Sequence, residues 1–282
     1  MQENYKYNIY MFIVTIFFGM TYALTKICLN YSTEFHIISF RFLIAFIVSL
    51  IFLYKKIFPI KIRELLCSFI LGLILFLVFI AMTIGVKYTT ATNASFLISL
   101  SVIFIPFFSW IFNKEKPKKS IFIVIFIALI GIMLLTLDKN LQFHIGDILC
   151  LICAILFTFY VILTEKIVKN NNPVALSVLQ FAWVSLFSFL LQYPIENFVI
   201  PKSKIFWLSM VLLGVFCTAF GYIIQTIAQK KLSSIVVGFI LSLEPVFSGI
   251  FGYFFLNEYL SFQQYIGAFL LLISVIYVSV KN

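Results

Sequence analysis

Four ionisable side chains lie inside long apolar stretches of this sequence: Lys26, Arg41, Glu165 and Glu244. Moving a charge to the centre of a lipid bilayer costs at least roughly 2.5–3.5 kcal/mol, so ionisable residues in apolar stretches are candidates for function. Lys26 and Glu165 lie near the ends of their stretches and can reach a polar boundary. Arg41 lies about two helical turns inside its stretch, where we expect a structural pairing with a carboxylate or with helix-end carbonyl groups.

Glu244 lies near the middle of its stretch and is followed by Pro245. Proline lacks a backbone N–H and clashes with the preceding turn, so we expect a kinked helix with a free carbonyl group beside the carboxyl group. Burial disfavours the charged form of a carboxyl group, so Glu244 could take up and release a proton near neutral pH. The alternative is a neutral glutamic acid that is hydrogen-bonded to the backbone. The pattern predicts Glu244 as a proton-coupling residue and Pro245 as a helix-packing position.

Other polar and aromatic side chains recur within the apolar stretches. Together they suit a moderately apolar small molecule with few polar groups, which is the usual character of a small-molecule site. No group of several buried Arg or Lys residues indicates an anion clamp, which argues against phosphorylated sugars. The predicted substrate-binding residues are Thr21, Tyr22, Phe79, Thr83, Phe96, Ser99, Tyr160, Thr164, Tyr222, Gln225 and Ser242.

The elements that hold these residues must be membrane-spanning helices. The chain has 282 residues, of which 63% are hydrophobic and 11% are charged, and its mean hydropathy is +1.13. A soluble domain has about 25% charged residues. A span needs about 20 apolar residues, and an unpaired backbone is not tolerated in lipid. We therefore predict an all-α integral membrane protein with ten transmembrane helices, at about 9–29, 35–54, 65–86, 91–113, 120–137, 147–168, 174–193, 205–229, 234–256 and 262–280.

The distribution of basic residues predicts the orientation of these helices. If the N-terminus is cytoplasmic, the inside loops hold 14 Lys and Arg residues and the outside loops hold four. Because cytoplasmic loops collect Lys and Arg, we predict a multi-pass protein of the cell (inner) membrane with both termini in the cytoplasm. The same rule accounts for the formal charge of +10 without a nucleic-acid partner.

The two halves of the sequence resemble each other. Phe17–Lys26 aligns with Leu156–Glu165 at an offset of 139, and Phe96–Leu100 aligns with Phe239–Leu243 at an offset of 143. Five spans per half is an odd number, so the second half must be inverted relative to the first. The prediction is two inverted five-helix repeats, residues 1–140 and 141–282. Inverted repeats are a recurring architecture of secondary transporters, with the solute site at mid-membrane between the repeats.

Small residues form matching rows on the fourth and ninth predicted spans. Ser95 is the centre of the first row and Gly238 is the centre of the second. Such rows let helix backbones approach closely in lipid. Ser95 and Gly238 are therefore predicted helix-packing residues.

The sequence resembles the drug/metabolite transporter superfamily, specifically a chain of two EamA-type repeats. The motifs that carry the resemblance are Phe18-Gly19, Arg41, the run from Thr90 to Leu97 and Lys114-Glu115 in the first half, and Ser242-Leu243-Glu244-Pro245-Val246, Asn257-Glu258 and Tyr265-Ile266-Gly267 in the second. The resemblance implies ten helices, cytoplasmic termini, and a central cavity lined mainly by spans 1, 3, 4, 6, 8 and 9. It also implies export or exchange of small organic solutes, in many members coupled to protons or to a counter-substrate.

The sequence departs from the common pattern of this family in two places. Span 1 has Phe18-Gly19 where many members have a Trp followed by a small residue. The first half has Ser101-Val102 opposite Glu244-Pro245. The second departure leaves only one half with an ionisable group at mid-membrane, so the two halves are not expected to play symmetric roles.

The predicted function is secondary-active transport, namely export or exchange of small organic metabolites such as amino acids or similar amphipathic solutes by alternating access. The predicted partners are the solute, the lipid bilayer, and protons or a counter-substrate, and no cofactor or metal is expected. The alternatives are a membrane lipid carrier or flippase and a non-transporting scaffold. An enzyme is disfavoured because the only histidines, His36 and His144, lie near span ends and no zinc-protease or serine-hydrolase motif is present.

Overall fold

The computed structural model describes residues 2–113, 119–136, 144–195, 200–259 and 261–281, and every regular element within them is a helix. The helices are α1 (Gln2–Leu29), α2 (Glu34–Ile57), α3 (Ile62–Tyr88), α4 (Ala91–Ser99), α5 (Ser101–Asn113), α6 (Lys119–Thr136), α7 (Ile145–Val168), α8 (Pro173–Ile195), α9 (Lys204–Leu212), a π-helical segment (Leu213–Phe220), α10 (Gly221–Gln229), α11 (Ser234–Leu241), α12 (Glu244–Leu256) and α13 (Phe262–Lys281).

Eight helical stretches in the described part of the chain are long and apolar enough to cross a membrane. They are Tyr5–Leu29, Glu34–Ile57, Ile62–Tyr88, Ala91–Ile111, Ile145–Val168, Pro173–Gln192, Lys204–Gln229 and Ser234–Leu256. Two shorter apolar stretches, Phe122–Gly131 and Tyr265–Ser274, lie in the fifth and tenth predicted windows. The predicted all-helical, multi-pass membrane protein is confirmed, and eight of the ten predicted spans are matched by such stretches within the described residues.

Large apolar side chains cover the outside of the helix bundle. Phe52 of α2 and Phe254 of α12 are 79% and 71% exposed. In water, so many exposed apolar side chains would form a surface prone to association. In a bilayer, the lipid tails cover them.

Two of the predicted spans are interrupted. The window 91–113 consists of α4 and α5, which are separated at Leu100, and the window 234–256 consists of α11 and α12, which are separated at Ser242 and Leu243. Pro245 lies in the first turn of α12. The expected kink in a continuous helix is therefore replaced by a new helix, because a residue in a first turn has no helical partner for its backbone N–H.

The π-helical segment interrupts the eighth predicted span. Its wider turns shift backbone carbonyl groups away from the regular α-helical pattern. The Thr218 hydroxyl donates to the Leu213 carbonyl at 2.8 Å within this segment. The Cys217 carbonyl lies 3.5 Å from the guanidinium group of Arg41. The segment thus turns backbone and side-chain oxygen atoms toward α2.

The helices of the two halves pack against each other through the middle of the bundle. Helix α2 packs on α8, α3 packs on α7 and α8, and α6 packs on α13. The interrupted spans also meet, with α4 against α12 and α5 against α11. At the last contact, a Cβ atom on Gly238 would lie 2.6 Å from Ile105 Cδ1. Ser95 of α4 is fully buried.

Candidate functional site

A cavity of about 30 Å³ lies at the centre of the bundle. Helices from both halves of the chain surround it. This volume holds one or two water molecules, so an organic solute can enter only when the surrounding helices separate. The lining residues are Phe18, Thr21, Tyr22, Arg41, Val78, Phe79, Met82, Ile98, Cys153, Phe157, Tyr222 and Glu244.

Glu244 is held at the cavity by the interruption between α11 and α12. It is the first residue of α12 and is only 5% exposed. The Tyr22 hydroxyl, from α1, donates a hydrogen bond of 2.9 Å to Glu244 Oε2. A buried polar group requires such a partner, and the bond links the first helix of one half to the carboxyl group of the other half.

Arg41 supplies a buried positive charge to the same cavity and is 2% exposed. Its Nε donates to the Thr218 hydroxyl at 2.6 Å, and its Nη2 donates to the Thr21 hydroxyl at 3.2 Å. The guanidinium carbon lies 4.6 Å from the centre of the Phe79 ring. No carboxylate of the described residues lies within 4 Å of this guanidinium group. Neutral hydroxyl and carbonyl groups and the face of the Phe79 ring therefore stabilise its positive charge.

Aromatic rings line the cavity together with Arg41 and Glu244. The Tyr222 ring lies 4.9 Å from the Phe18 ring, 6.0 Å from the Phe79 ring and 5.8 Å from the Tyr160 ring, measured between centroids. These spacings fall in the range of favourable aromatic pairs. The result is a cavity with aromatic walls that also contains a guanidinium group and a carboxyl group.

Five of the predicted site residues come together around the cavity: Thr21, Tyr22, Phe79, Tyr222 and Glu244. The remaining predicted residues do not line it in this structure, although all of them are buried. They are Thr83, Phe96, Ser99, Tyr160, Thr164, Gln225 and Ser242.

The residues outside the lining have two kinds of surroundings. Ser99 and Ser242 donate to carbonyl groups of their own spans, at 2.8 Å and 2.7 Å. Tyr160 donates to Gln180 at 3.2 Å. Thr164 on α7 lies beside the Tyr160 hydroxyl group. Gln225 Oε1 on α10 is buried and has no hydrogen-bond partner among the described residues.

The structure adds residues that the sequence did not single out as binding residues. Arg41 was expected to be structural, and its partners are two hydroxyl groups and a carbonyl group. The pairs Val78–Met82 and Cys153–Phe157 each have a spacing of four, which places both members on one face of a helix. That spacing is a signal in the sequence, but it becomes informative only when the face toward the cavity is known.

Two charged side chains at the ends of α1 and α7 secure neighbouring turns. Lys26 donates to the carbonyl groups of Val86 at 2.7 Å and of Thr89 at 2.5 Å, where α3 ends. Glu165 accepts hydrogen bonds from the Ser234 backbone N–H at 2.7 Å and from the Ser234 hydroxyl, where α11 begins. Lys26 and Glu165 are aligned at the offset of 139. Each fixes the turn between the third and fourth spans of its half.

Comparison with known proteins agrees with this arrangement. The model of the EamA-like transporter family matches residues 5–137 and again residues 144–280. An uncharacterized transporter from Archaeoglobus fulgidus is 32% identical over 272 residues, which are 95% of this chain and 84% of that protein. The uncharacterized transporter YyaM from Bacillus subtilis is 25% identical, with 95% and 92% of the two chains covered.

A solved crystal structure has the same fold. It superposes with a TM-score of 0.77 at 17% sequence identity and covers 96% of this chain and 95% of its own. The resemblance that the sequence motifs indicated is confirmed by the double match to the family model. The chain belongs to the EamA-like transporter family, whose members are membrane transporters and not enzymes.

Proposed function

We propose that this protein is a secondary-active transporter that exports or exchanges small amphipathic organic solutes, such as amino acids, by alternating access. One observation carries the proposal: a buried guanidinium group and a buried carboxyl group, Arg41 and Glu244, line one aromatic cavity. A solute with an anionic group, a cationic or neutral polar group and an apolar body would match these three features.

Arg41 is the proposed anchor for a solute carboxylate. Its present partners, Thr21 and Thr218, are neutral, and no carboxylate of the described residues lies within 4 Å of it, so an entering carboxylate could pair with it directly. The planar guanidinium group can bind a carboxylate through two parallel hydrogen bonds. Gln225 provides a buried, unpartnered polar atom on α10, which an opening of the helices could present to the solute.

Glu244 is the proposed coupling residue. Its carboxyl group is buried in the first turn of α12 and is bonded to Tyr22. A carboxyl group in this position can alternate between a neutral form and a charged form as the cavity becomes accessible to water. The driving partner is then a proton, and a counter-substrate that occupies the same cavity would permit exchange.

The proposed architecture is ten spans in two inverted repeats, residues 1–140 and 141–282. The two separate matches to the family model support this division. Further support comes from the helix interruptions at Leu100 and Leu243, which are 143 residues apart. Helices α6 and α13 would provide the fifth and tenth spans.

The proposed location is the cell (inner) membrane with both termini in the cytoplasm, on the basis of the Lys and Arg distribution. Single-cysteine variants tested with an impermeant thiol reagent should place Lys61 on the cytoplasmic side. The equivalent probes at Lys116, inside, and at Asp138, outside, lie beyond the described residues. Labelling of Lys61 from outside intact cells would contradict this orientation and the inversion of the repeats that depends on it.

The deciding experiment measures two fluxes with purified protein in proteoliposomes: solute exchange, and accumulation driven by a pH gradient. Glu244→Gln keeps the size and hydrogen-bonding capacity of the side chain but cannot titrate. We expect exchange to persist and pH-driven accumulation to fall at least tenfold. Arg41→Gln should reduce flux of carboxylate-bearing solutes more than flux of related amines.

Glu244→Ala serves as the companion variant. If the carboxyl group is purely structural, Glu244→Gln will be nearly silent in both assays. In that case, Glu244→Ala will lower stability by leaving the Tyr22 hydroxyl unpaired. Unchanged pH-driven accumulation in Glu244→Gln would end the coupling proposal. A lack of solute-dependent flux in the unmodified protein would instead favour a non-transporting scaffold.

A further inference from the structure

A second cavity, on the lipid-facing side of the bundle, is an apolar groove of about 330 Å³. It runs between α2, the start of α8, the π-helical segment and α10. Apart from Ser49 and Lys56, its walls consist of apolar side chains. The lining residues are Val48, Ser49, Phe52, Leu53, Lys56, Val174, Val215, Ala219, Phe220, Ile223, Ile224 and Ile227.

The groove is long enough to hold part of an extended hydrocarbon chain. Its α2 wall runs from Val48 to Lys56, which is about 12 Å at 1.5 Å per residue. Its side toward the lipid is open at Phe52, which is 79% exposed. The Ser49 hydroxyl lines the groove, is buried, and has no hydrogen-bond partner among the described residues.

A polar hollow of about 470 Å³ adjoins one end of the groove. Its lining residues are Lys61, Glu64, Lys169, Asn170, Asn171, Asn172, Pro173 and Lys230. The two spaces meet at the start of α8. Asn172 lines the hollow and donates through Nδ2 to the carbonyl group of Lys56 at 2.6 Å, and Lys56 lines the groove.

The charge at this end of the groove is positive. Glu64 is occupied on both oxygen atoms, since it accepts from the backbone N–H groups of Lys61 and Asn172, each at 3.1 Å. Lys169 pairs with Glu165 at 3.3 Å. Among the residues that the structure describes, no carboxylate lies within 4 Å of the ammonium groups of Lys56, Lys61 or Lys230. Lys56 thus lines the groove, and Lys61 and Lys230 line the adjoining hollow, without a carboxylate partner.

We propose that this groove binds an anionic phospholipid, with one acyl chain along α2 and the phosphate group among Lys56, Lys61 and Lys230. Basic clusters next to lipid-facing surfaces select anionic headgroups. A zwitterionic lipid would fill the groove but leave the lysines without a net negative partner. A free phosphate ion would meet the lysines but leave the groove without an occupant. The site is separate from the central cavity and does not depend on the proposed transport.

The test measures the unfolding temperature of the full-length protein in a neutral detergent during titration with lipid. Phosphatidylglycerol should raise the unfolding temperature at lower concentration than phosphatidylcholine of the same chains, and glycerol phosphate should have no effect at these concentrations. Lys56→Gln and Lys230→Gln should each weaken the apparent affinity for phosphatidylglycerol about fivefold. Lys202→Gln and Lys204→Gln replace exposed lysines that line neither the groove nor the hollow. They are the matched controls and should change nothing.

A second variant tests the apolar part of the site. Ala219→Phe fills the groove and should remove most of the stabilisation by phosphatidylglycerol, whereas Leu66→Phe on the exposed face of α3 should keep it. Native mass spectrometry provides an independent count of retained phosphatidylglycerol for the Lys56→Gln/Lys230→Gln protein, which is expected to fold normally. Equal stabilisation by phosphatidylcholine, equal stabilisation by glycerol phosphate, or unchanged retention in the double variant would each overturn the proposal.

Discussion

Helix α4 ends at Ser99 and α5 begins at Ser101, whereas α11 ends at Leu241 and α12 begins at Glu244. The two interruptions lie at positions that align at the offset of 143, and α4 and α5 pack against α12 and α11. The interruption of the fourth predicted span is therefore repeated in the ninth. The interruption does not require proline at the aligned position, because the first half has Ser101-Val102 where the second has Glu244-Pro245.

The chemistry at the two interruptions differs completely. In the second half, Glu244 accepts a hydrogen bond from Tyr22 of α1. The pair at the aligned positions is Ser101 on α5 of the first half and Val161 on α7 of the second half. This pair has neither a carboxyl group nor a phenol group. The comparison indicates that both halves have the helix interruption. The hydrogen-bonded pair of a carboxyl group and a phenol group is present at only one of the two positions.

The largest expected effect comes from introducing the carboxyl group into the half that lacks it. Ser101 is 4% exposed, and Ser101→Glu would bury a carboxyl group while the position aligned with Tyr22 holds Val161. We expect the free energy of unfolding to fall by about 2.5–3.5 kcal/mol, the approximate range for an ionisable group in the membrane. Reversible unfolding in detergent measures this change.

The double variant Ser101→Glu/Val161→Tyr sharpens this prediction. If a hydroxyl partner makes the carboxyl group tolerable, the second substitution should restore part of the lost stability. Full stability of Ser101→Glu alone would show that water reaches the first crossing, and the proposed difference between the halves would fail.

The next largest effect concerns the closeness of helix contacts. A Cβ atom on Gly19 would lie 2.5 Å from Phe247 Cβ and 2.9 Å from the Ser248 backbone nitrogen. Because the α12 backbone cannot move aside easily, Gly19→Ala should lower the free energy of unfolding by about 1–3 kcal/mol. The aligned residue of the second half, Thr158, already carries a Cβ atom. A contact that requires glycine at this position is therefore found where α1 packs on α12.

Gly238→Ala is the matched control for Gly19→Ala. Its nearest neighbour is the end of the Ile105 side chain, and the next atoms lie at 3.7 Å, so we expect a loss below about 1 kcal/mol. The bulkier changes Gly238→Leu and Ser95→Leu should damage folding or transport, and Leu270→Ile should be mild. Equal losses for the two alanine variants would show that both crossings are equally close.

The smallest effect separates the aligned residues Lys26 and Glu165. Lys26→Met removes the donor to the carbonyl groups at the end of α3, and Glu165→Gln keeps an acceptor for Ser234. We expect losses of about 1 kcal/mol for Lys26→Met and about half of that for Glu165→Gln. Unfolding measurements at matched salt concentrations test this order, and a larger loss for Glu165→Gln would reverse it.

Much of the fold could be predicted from the sequence. The apolar composition predicted helices in lipid, because a membrane interior excludes unpaired backbone groups. The offset alignments predicted a relation between the halves that appears in Lys26 and Glu165, whose side chains each secure the aligned turn. The two interruptions and the π-helical segment were not predicted. A break in a helix depends on how the neighbouring helices pack, and local sequence does not contain that information.

The candidate site was only partly predictable. Ionisable residues in apolar stretches identified Glu244 from the sequence alone, because the high cost of burying charge makes such residues rare. Which hydroxyl groups face the cavity was decided by the tertiary structure: Thr21 and Tyr22 line it, whereas Ser99 and Ser242 bond to their own spans. Successive side chains on an α-helix point about 100° apart. A break in the helix therefore changes the direction in which the following side chains point. The neutral partners of Arg41 come from α1 and the π-helical segment, and only the packing of distant segments could bring them to it.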